Sequence, residues 1–308
     1  MSLQIPWSSH RLLLRDVTFE GWLVNETPLR IGAGRDSPLG SAVDLAVLRI
    51  LISGRSVPYI PGSSLKGVFR STAVQLARAK RLSVCSGLSG DTCMDWDNPK
   101  LSTTLHRYIQ EALRSREESF EAIKVFHSEA CLLCKVFGAP SFTGHAEFSD
   151  AYPFDEHGRL VDVPVGVRTG IAIDRRTGAV RRGGLYTVEF VEPGARFKFS
   201  IRSTNLPNYA LGLLAKIVRG LNEGWVKIGG FKTRGFGKVR VEGLSFTAYL
   251  PYSNGTMLPA VDDVDKDVDL SNLVEVVGKQ LRAPSPKALQ VLQKLEEVWD
   301  NANFTESH

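Results

Sequence analysis

The 308-residue sequence lacks an apolar run that approaches the roughly 20 residues needed to cross a bilayer. Its first ten residues also lack the charged start and apolar centre of a secretory signal. These two absences predict a cytoplasmic protein without a membrane partner. Structural disulfides are uncommon in that compartment, so the four cysteines of the chain call for another explanation.

Several common catalytic motifs are also missing. The segment 34–40 lacks the lysine and the spacing of a P-loop, and the glycine-rich segment 229–237 does not open a helix as a dinucleotide-binding loop does. The sequence contains neither G-x-S-x-G nor H-E-x-x-H, and none of its six histidines pairs evidently with a nucleophile. These absences argue against nucleotide hydrolysis, serine-hydrolase chemistry and zinc-protease chemistry.

Positive charge is present in excess and is unevenly distributed. The net charge is +5, but residues 259–308 contain ten acidic and five basic residues, which leaves +10 on the preceding part. Residues 168–202 hold eight Arg or Lys against three acids, and residues 227–240 hold five cations and no acid. Such stripes suit a nucleic acid, although a solvated basic surface without a specific partner fits the charge equally well.

Apolar residues at strand and helix spacing predict the order strand, strand, helix, insertion, strands, helix, strand. This order is typical of an α+β sheet with helices on one side. Residues 168–185 predict a basic hairpin that turns at 174–178. The predicted strands cover 11–24, 45–52, 186–201 and 238–241, and the predicted helices cover 63–81, 103–123, 209–222 and 286–301.

Residues 58–70 predict a helix start that suits an anion. A Pro-Gly turn places Ser63 and Ser64 where a helix would be capped, and Lys66 and Arg70 follow one helical turn apart. The free N–H groups and the dipole of such a helix end attract anions. In a basic chain the obvious partner is an RNA phosphate backbone.

The glycine-rich segment 229–237 predicts close approach to another backbone, either of protein or of RNA. Phe231 and Phe236 alternate there with the cations Lys232 and Arg234. This pattern fits aromatic stacking on single-stranded bases, and it fits anchoring in the protein core equally well.

The four cysteines, Cys85, Cys93, Cys131 and Cys134, all fall in the predicted insertion 83–145. Cys131 and Cys134 form a C-x-x-C pair, which favours a structural Zn²⁺ site with four thiolates over free thiols or a disulfide. His127 is a substitute ligand.

Two loop aspartates, Asp36 and Asp44, precede the predicted basic helix. A carboxylate beside bound RNA can hold Mg²⁺ or Mn²⁺ and assist cleavage. Turn formation or helix capping is the ordinary role of such a residue.

Several segments together resemble one family. They are LRIGAG at 29–34 with Asp44 after it, YIPGSSLKG at 59–67, CLLCKVFG at 131–138, IDRRTG at 173–178 and the glycine-rich segment 229–237. The chain resembles a protein of the RAMP superfamily, specifically a Csm-type backbone subunit of a type III CRISPR effector complex.

The resemblance implies a modified RRM-like, that is ferredoxin-like, core with a zinc-bearing insertion and a β-hairpin thumb. It assigns 11–82 and 146–250 to the core, 168–185 within them to the thumb, and 83–145 to an inserted finger. Residues 251–308 remain as an acidic linker with a C-terminal helix.

The resemblance also implies that copies of the chain associate along a CRISPR RNA together with other type III effector subunits. Asp44, and less directly Asp36, would cleave the complementary target RNA with a divalent metal. The family run Asp-Ser/Thr-Pro-Val reads DLAV at 44–47 here, which keeps open a non-catalytic RNA-binding subunit. A metal-independent CRISPR RNA-processing endonuclease is the third alternative. The implied RNA-binding residues are Ser63, Ser64, Lys66, Arg70, Arg168, Arg175, Arg176, Arg181, Arg182, Lys232 and Arg234.

Overall fold

The computed structural model describes residues 5–32, 43–114 and 118–304, without the side chains of Glu118, Arg181 and Arg182. Its helices are α1 (Gly62–Ala79), α2 (Leu105–Ala112), α3 (Glu118–Glu129), α4 (Leu132–Phe137), α5 (Asn208–Glu223) and α6 (Lys287–Asn301). Its strands are β1 (Asp16–Asn25), β2 (Arg49–Ile52), β3 (Arg55–Pro58), β4 (Asp97–Asn98), β5 (Thr103–Thr104), β6 (Ala146–Phe148), β7 (Val165–Ile173), β8 (Val180–Val191), β9 (Arg196–Thr204), β10 (Val239–Tyr249), β11 (Met257–Leu258), β12 (Val268–Asp269), β13 (Glu275–Val277) and β14 (Gln280–Ala283).

The main sheet has the strand order β13-β14-β10-β1-β9-β6, and every pair in it is antiparallel. Helix α1 lies between β1 and β6 along the chain, and α5 lies between β9 and β10. Strands β1, β6, β9 and β10 with helices α1 and α5 therefore follow the βαββαβ plan of a ferredoxin-like fold. This arrangement confirms the predicted α+β, RRM-like core.

One face of the sheet packs on the helices, and the other face is partly open. Val17, Phe19 and Leu23 of β1 are buried, because alternate side chains of a strand point to one face. Trp22 and Glu20 occupy the opposite face and stay half-exposed. The helices consequently lie on one side of the sheet, as the sequence predicts.

Three insertions interrupt this core. The β2–β3 hairpin precedes α1, the segment that contains α2, α3 and α4 joins α1 to β6, and the long β7–β8 hairpin joins β6 to β9. The helix predicted over 103–123 is instead two helices, α2 and α3. The strand predicted over 45–52 is shorter, because only Arg49–Ile52 pairs as β2. The hairpin turns at 174–178 as predicted, where Gly178 has φ +69°.

The C-terminal residues fold onto the core. Strand β14 pairs with β10, and β13 extends the sheet by one more strand. Helix α6 packs closely on α5, since a Cβ at Gly212 would lie 2.1 Å from the carbonyl oxygen of Leu295. Trp299 is buried at this contact. No helix in the described ranges is both long and apolar enough to cross a bilayer.

Candidate nucleic-acid interface and metal centre

The start of α1 is occupied by a carboxylate of the chain itself. The N-cap position is Pro61, and the backbone N–H of Gly62 donates a 2.7 Å hydrogen bond to Oδ1 of Asp150. Gly62 is required there, because a Cβ would lie 2.1 Å from the carbonyl oxygen of Phe148. The predicted cap by Ser63 or Ser64 is wrong, since both hydroxyls lie inside the first turn. Their contact with RNA stays a prediction.

The two cations of α1 have different surroundings. Lys66 is half-buried, and its pKa is lowered first by burial and then by the charge of Arg70. Arg70 turns towards the inserted segment instead, where its Nη1 donates a 2.7 Å hydrogen bond to the carbonyl oxygen of Gly138. Its Nη2 lies 3.6 Å from the Sγ atom of Cys134. Arg70 therefore already has protein partners where the sequence predicts a phosphate contact.

The four cysteines converge on one point. The Sγ atoms of Cys85, Cys93, Cys131 and Cys134 all lie within 4.8 Å of one another. Cys85 and Cys131 are 3.7 Å apart at sulfur, close to the roughly 3.8 Å that a tetrahedral Zn²⁺ with 2.3 Å bonds requires. All four are free thiols rather than disulfides. The cluster is compatible with a structural metal.

The chemistry of the donor set fits a metal as well as its geometry does. Thiol sulfur is a soft donor that suits Zn²⁺, and hydrogen bonds within the cluster, first of all with Cys131, lower the pKa of Cys85 and raise those of Cys93 and Cys134. His127 is not among the clustered groups of the described chain. Its Nδ1 atom lies 2.9 Å from the hydroxyl oxygen of Ser8, and its ring packs against Trp7.

The glycine-rich segment closes onto the strand-like residues 28–32. The N–H of Gly230 donates a 2.9 Å hydrogen bond to the carbonyl oxygen of Arg30, and the N–H of Gly237 donates one of 2.9 Å to that of Pro28. A Cβ at Gly229 would lie 2.3 Å from the same Arg30 oxygen. The predicted backbone approach is therefore made by the protein's own backbone.

This segment also meets the base of the β7–β8 hairpin. The Arg168 guanidinium lies 5.5 Å from the Phe190 ring and 5.4 Å from the Phe236 ring. Arg234 lies 4.8 Å over the Phe231 ring and donates a 2.7 Å hydrogen bond to the Tyr186 hydroxyl. We call this group the thumb-base cluster. Its members are Arg30, Arg168, Tyr186, Phe190, Phe231, Arg234 and Phe236.

Arg30 is a member of this cluster that the sequence pattern did not single out. It is only 8% exposed, its guanidinium lies 5.5 Å over the Phe231 ring, and burial lowers its pKa. Its Nε atom is buried without a hydrogen bond. The sequence signal for this position is that the cation stands between two apolar residues, Leu29 and Ile31.

Charge is neutralised on the open face of the sheet. Lys198 pairs with Glu20 at 2.7 Å, and Arg202 pairs with Asp16 at 2.6 Å. Arg240 is likewise paired with a carboxylate.

The thumb base differs from that face. Within residues 5–32, 43–114 and 118–304, none of Arg30, Arg168, Lys232 and Arg234 forms a salt bridge. Lys232 is exposed, although partial burial lowers its pKa. Unneutralised positive charge is therefore concentrated beside the aromatic rings of the thumb-base cluster.

Asp44 lies against strand β8 near the same place. Its Oδ2 atom accepts hydrogen bonds from the N–H and the hydroxyl of Thr187, and the N–H bond, followed by the hydroxyl bond, lowers its pKa. The side chain is exposed and ionised at neutral pH. Asp36, the second predicted acid, lies outside the described residues.

The other predicted arginines lie farther along the hairpin. Arg175 and Arg176 are exposed at its turn, where the N–H of Arg176 donates to Oδ1 of Asp174. Arg181 and Arg182 belong to β8, and their side chains lie outside the described part. About 17 Å of extended strand separates Arg168 from the end of β7, after which the turn with Arg175 begins.

The family model of the RAMP superfamily matches residues 22–240, which include α1, the cysteine cluster, the hairpin and the glycine-rich segment. The chain belongs to the RAMP superfamily. RAMP proteins generally bind CRISPR RNA and other effector subunits, so membership indicates a CRISPR-associated RNA-binding subunit. No curated protein matches the chain significantly.

Proposed function

We propose that this RAMP protein is a backbone subunit of a type III CRISPR interference complex. Copies of it associate along a guide RNA with other effector subunits, and it cleaves the complementary target RNA with a divalent metal. The observation that carries the proposal is the set of thumb-base cations that form no salt bridge with the described residues, near exposed Asp44. We also propose that 83–145 acts as the finger and 168–185 as the thumb.

Guide binding relies on the unpaired cations of the thumb base and its loop. Arg168, Lys232 and Arg234 are exposed and meet the phosphates, while the half-buried Phe231 offers a face for one base. Contacts of this kind read the backbone and the shape of a single strand, so sequence specificity resides in base pairing by the guide.

Substitution of Arg168, Lys232 and Arg234 by Gln together tests this interface. Loss of three phosphate contacts is expected to reduce the slope of log affinity against log salt by about 2 for a single strand. The measurement is fluorescence anisotropy with a guide-length RNA at several salt concentrations.

A second triple variant is the matched control. Lys198→Gln, Arg202→Gln and Arg240→Gln remove the same charge from cations that are paired with carboxylates on the open sheet face. For this variant, the slope of log affinity against log salt is expected to stay close to that of the original protein. An equal loss in both variants would show that net charge, not the thumb base, attracts RNA.

Asp44 is the proposed ligand of the catalytic metal. Its carboxylate is held by Thr187, and oxygen ligands of this type suit Mg²⁺ and Mn²⁺. In the assembled complex, Asp44→Asn is expected to abolish target cleavage and to keep guide binding. A wild-type complex that never cuts with either metal would establish the non-catalytic alternative, and cleavage in EDTA would establish the metal-independent one.

We further propose that Cys85, Cys93, Cys131 and Cys134 hold a structural Zn²⁺. Four thiolates leave no position for a substrate water, so the metal stabilises the inserted segment. Elemental analysis of chelator-free protein is expected to give one zinc per chain, and Cys85→Ser is expected to lose it. Less than about half an equivalent in the wild type contradicts the site.

A further inference from the structure

We propose that Arg70 is a positioning residue of the cysteine site, which offsets the charge of the metal-bound thiolates and fixes them to helix α1. This inference rests on the proposed Zn²⁺ site. It gives Arg70 a role different from the phosphate contact that its sequence position predicts.

The guanidinium of Arg70 is directed at the cysteine site through two of its three nitrogens, one of which contacts sulfur. Nη2 lies 3.6 Å from Sγ of Cys134 and 3.9 Å from Sγ of Cys85, so one NH2 group serves two sulfurs. Nη1 donates a 2.7 Å hydrogen bond to the carbonyl oxygen of Gly138, four residues after Cys134. One side chain on α1 therefore contacts both halves of the ligand set.

The backbone around the cluster is shaped to admit this side chain. Gly87 follows Cys85 by two residues and has φ +77°. A Cβ at Gly87 would lie 2.1 Å from Cζ of Arg70, inside its van der Waals radius. Any other residue at position 87 would displace the guanidinium from the sulfurs.

The charge of the site explains the need for a cation. Zn²⁺ with four thiolates carries a net charge of −2, and such a charge is costly to bury unless it is compensated. Arg70 supplies one positive charge with hydrogen bonds to sulfur. Hydrogen bonds from outside the ligand shell orient the ligands and set metal affinity.

A phosphate contact by Arg70 conflicts with these partners. Nη1 and Nη2 are engaged, and Nε is buried without a hydrogen bond. To reach RNA, the guanidinium would have to leave Gly138 and both sulfurs. The neighbouring Lys66, which has no salt bridge in the described part of the chain, remains available to RNA at the start of α1.

The test compares Arg70→Gln, Arg70→Lys and the control Arg81→Gln, which removes an exposed arginine two residues after the end of the same helix. Zinc affinity is measured by competition with a chromophoric chelator. Loss of an outer-shell partner is expected to weaken zinc binding by about 10- to 100-fold in Arg70→Gln, with partial recovery in Arg70→Lys and no change in Arg81→Gln. Circular dichroism checks that each variant is folded.

Cobalt substitution gives a readout that a purely structural role would not change. Loss of the N–H groups at sulfur is expected to shift the sulfur-to-cobalt charge-transfer band in Arg70→Gln, which reports on the thiolates even if the affinity is difficult to measure. Unchanged zinc affinity and an unchanged band in a zinc-containing protein overturn the inference, as does a selective loss of RNA affinity. A wild-type protein without zinc overturns the metal site itself, which is a separate result.

Discussion

Thr187 donates two hydrogen bonds to one carboxylate oxygen of Asp44, at 2.6 Å from its backbone nitrogen and 2.9 Å from its hydroxyl oxygen. The preceding residue, Tyr186, accepts a hydrogen bond from Arg234. Because successive side chains of a strand point to opposite faces, strand β8 presents the Asp44 partner on one face and the Arg234 partner on the other. The proposed cleaving carboxylate and the proposed guide-binding Arg234 thus contact neighbouring residues of β8.

Thr187→Val is expected to reduce target cleavage and to leave guide binding unchanged. The hydroxyl of Thr187 helps to lower the pKa of Asp44, so its removal raises that pKa and shifts the acidic limb of the cleavage profile to higher pH. The measurement is the cleavage rate of the assembled complex between pH 5 and 8. Thr169, directly opposite Thr187 in the hairpin, provides the control Thr169→Val, for which no shift is expected.

Asp265→Ala is expected to destabilise the fold by about 3–5 kcal/mol, because it leaves the buried Arg15 guanidinium without its counter-ion. Burial lowers the pKa of Arg15 to about 10, so the group stays charged at neutral pH. Urea unfolding measures the loss. Exposed Asp263→Ala is the control, and an equally large effect there would contradict the prediction.

Asp150→Ala is expected to lower the free energy of unfolding by about 1 kcal/mol, the usual effect of losing a helix cap. It also exposes the N–H groups at the start of α1, so sulfate is expected to stabilise this variant more than the original protein. Thermal unfolding with and without sulfate measures both effects. Glu147→Ala removes a nearby exposed carboxylate and is expected to show neither.

The protein is expected to lose stability as pH falls below about 6.5, the ordinary pKa of histidine. Burial lowers the pKa of His145, whose Nδ1–H donates to the carbonyl oxygen of Thr204 and whose ring stacks on His10 at 4.1 Å. The unfolded chain then binds a proton that the folded chain excludes, so the stability present above this pH is lost on acidification. Urea unfolding at pH 5–8 is expected to show a flatter pH dependence for His145→Asn. If the unfolding free energy of His145→Asn depends on pH as steeply as that of the original protein, groups other than His145 cause the dependence.

Most of the fold could be predicted from the spacing of apolar residues along the sequence. The amphipathic pattern over 209–222 predicts α5 to within one residue at each end, and the Asp-Arg-Arg-Thr-Gly turn predicts the tip of the thumb. The C-x-x-C pair also indicated the cysteine cluster, including the loosely spaced Cys85 and Cys93. These features depend on short-range sequence, which is why they could be predicted.

Partners that are distant along the chain could not be predicted. Helices α1 and α5 each begin after a proline. Asp150 accepts a hydrogen bond from the first N–H group of α1, and Asp265 accepts from the first two of α5. Local spacing indicates capping by nearby serines and cannot identify such a donor–acceptor pair. The contacts of Arg70 were missed for the same reason, since helix spacing gives its face and not its neighbour.

The position of β1 at the centre of the sheet has a consequence for biosynthesis. Asp16 of this first strand pairs with Thr204 on one side and with Tyr249 on the other. At a translation rate of about 5–20 residues per second, β1 waits about 10–50 s on the ribosome before its second neighbour has been made. One edge of β1 stays without its sheet partner until β10 has been made. An unpaired strand edge is a template for pairing with another chain, so the nascent protein is most prone to aggregation during this interval.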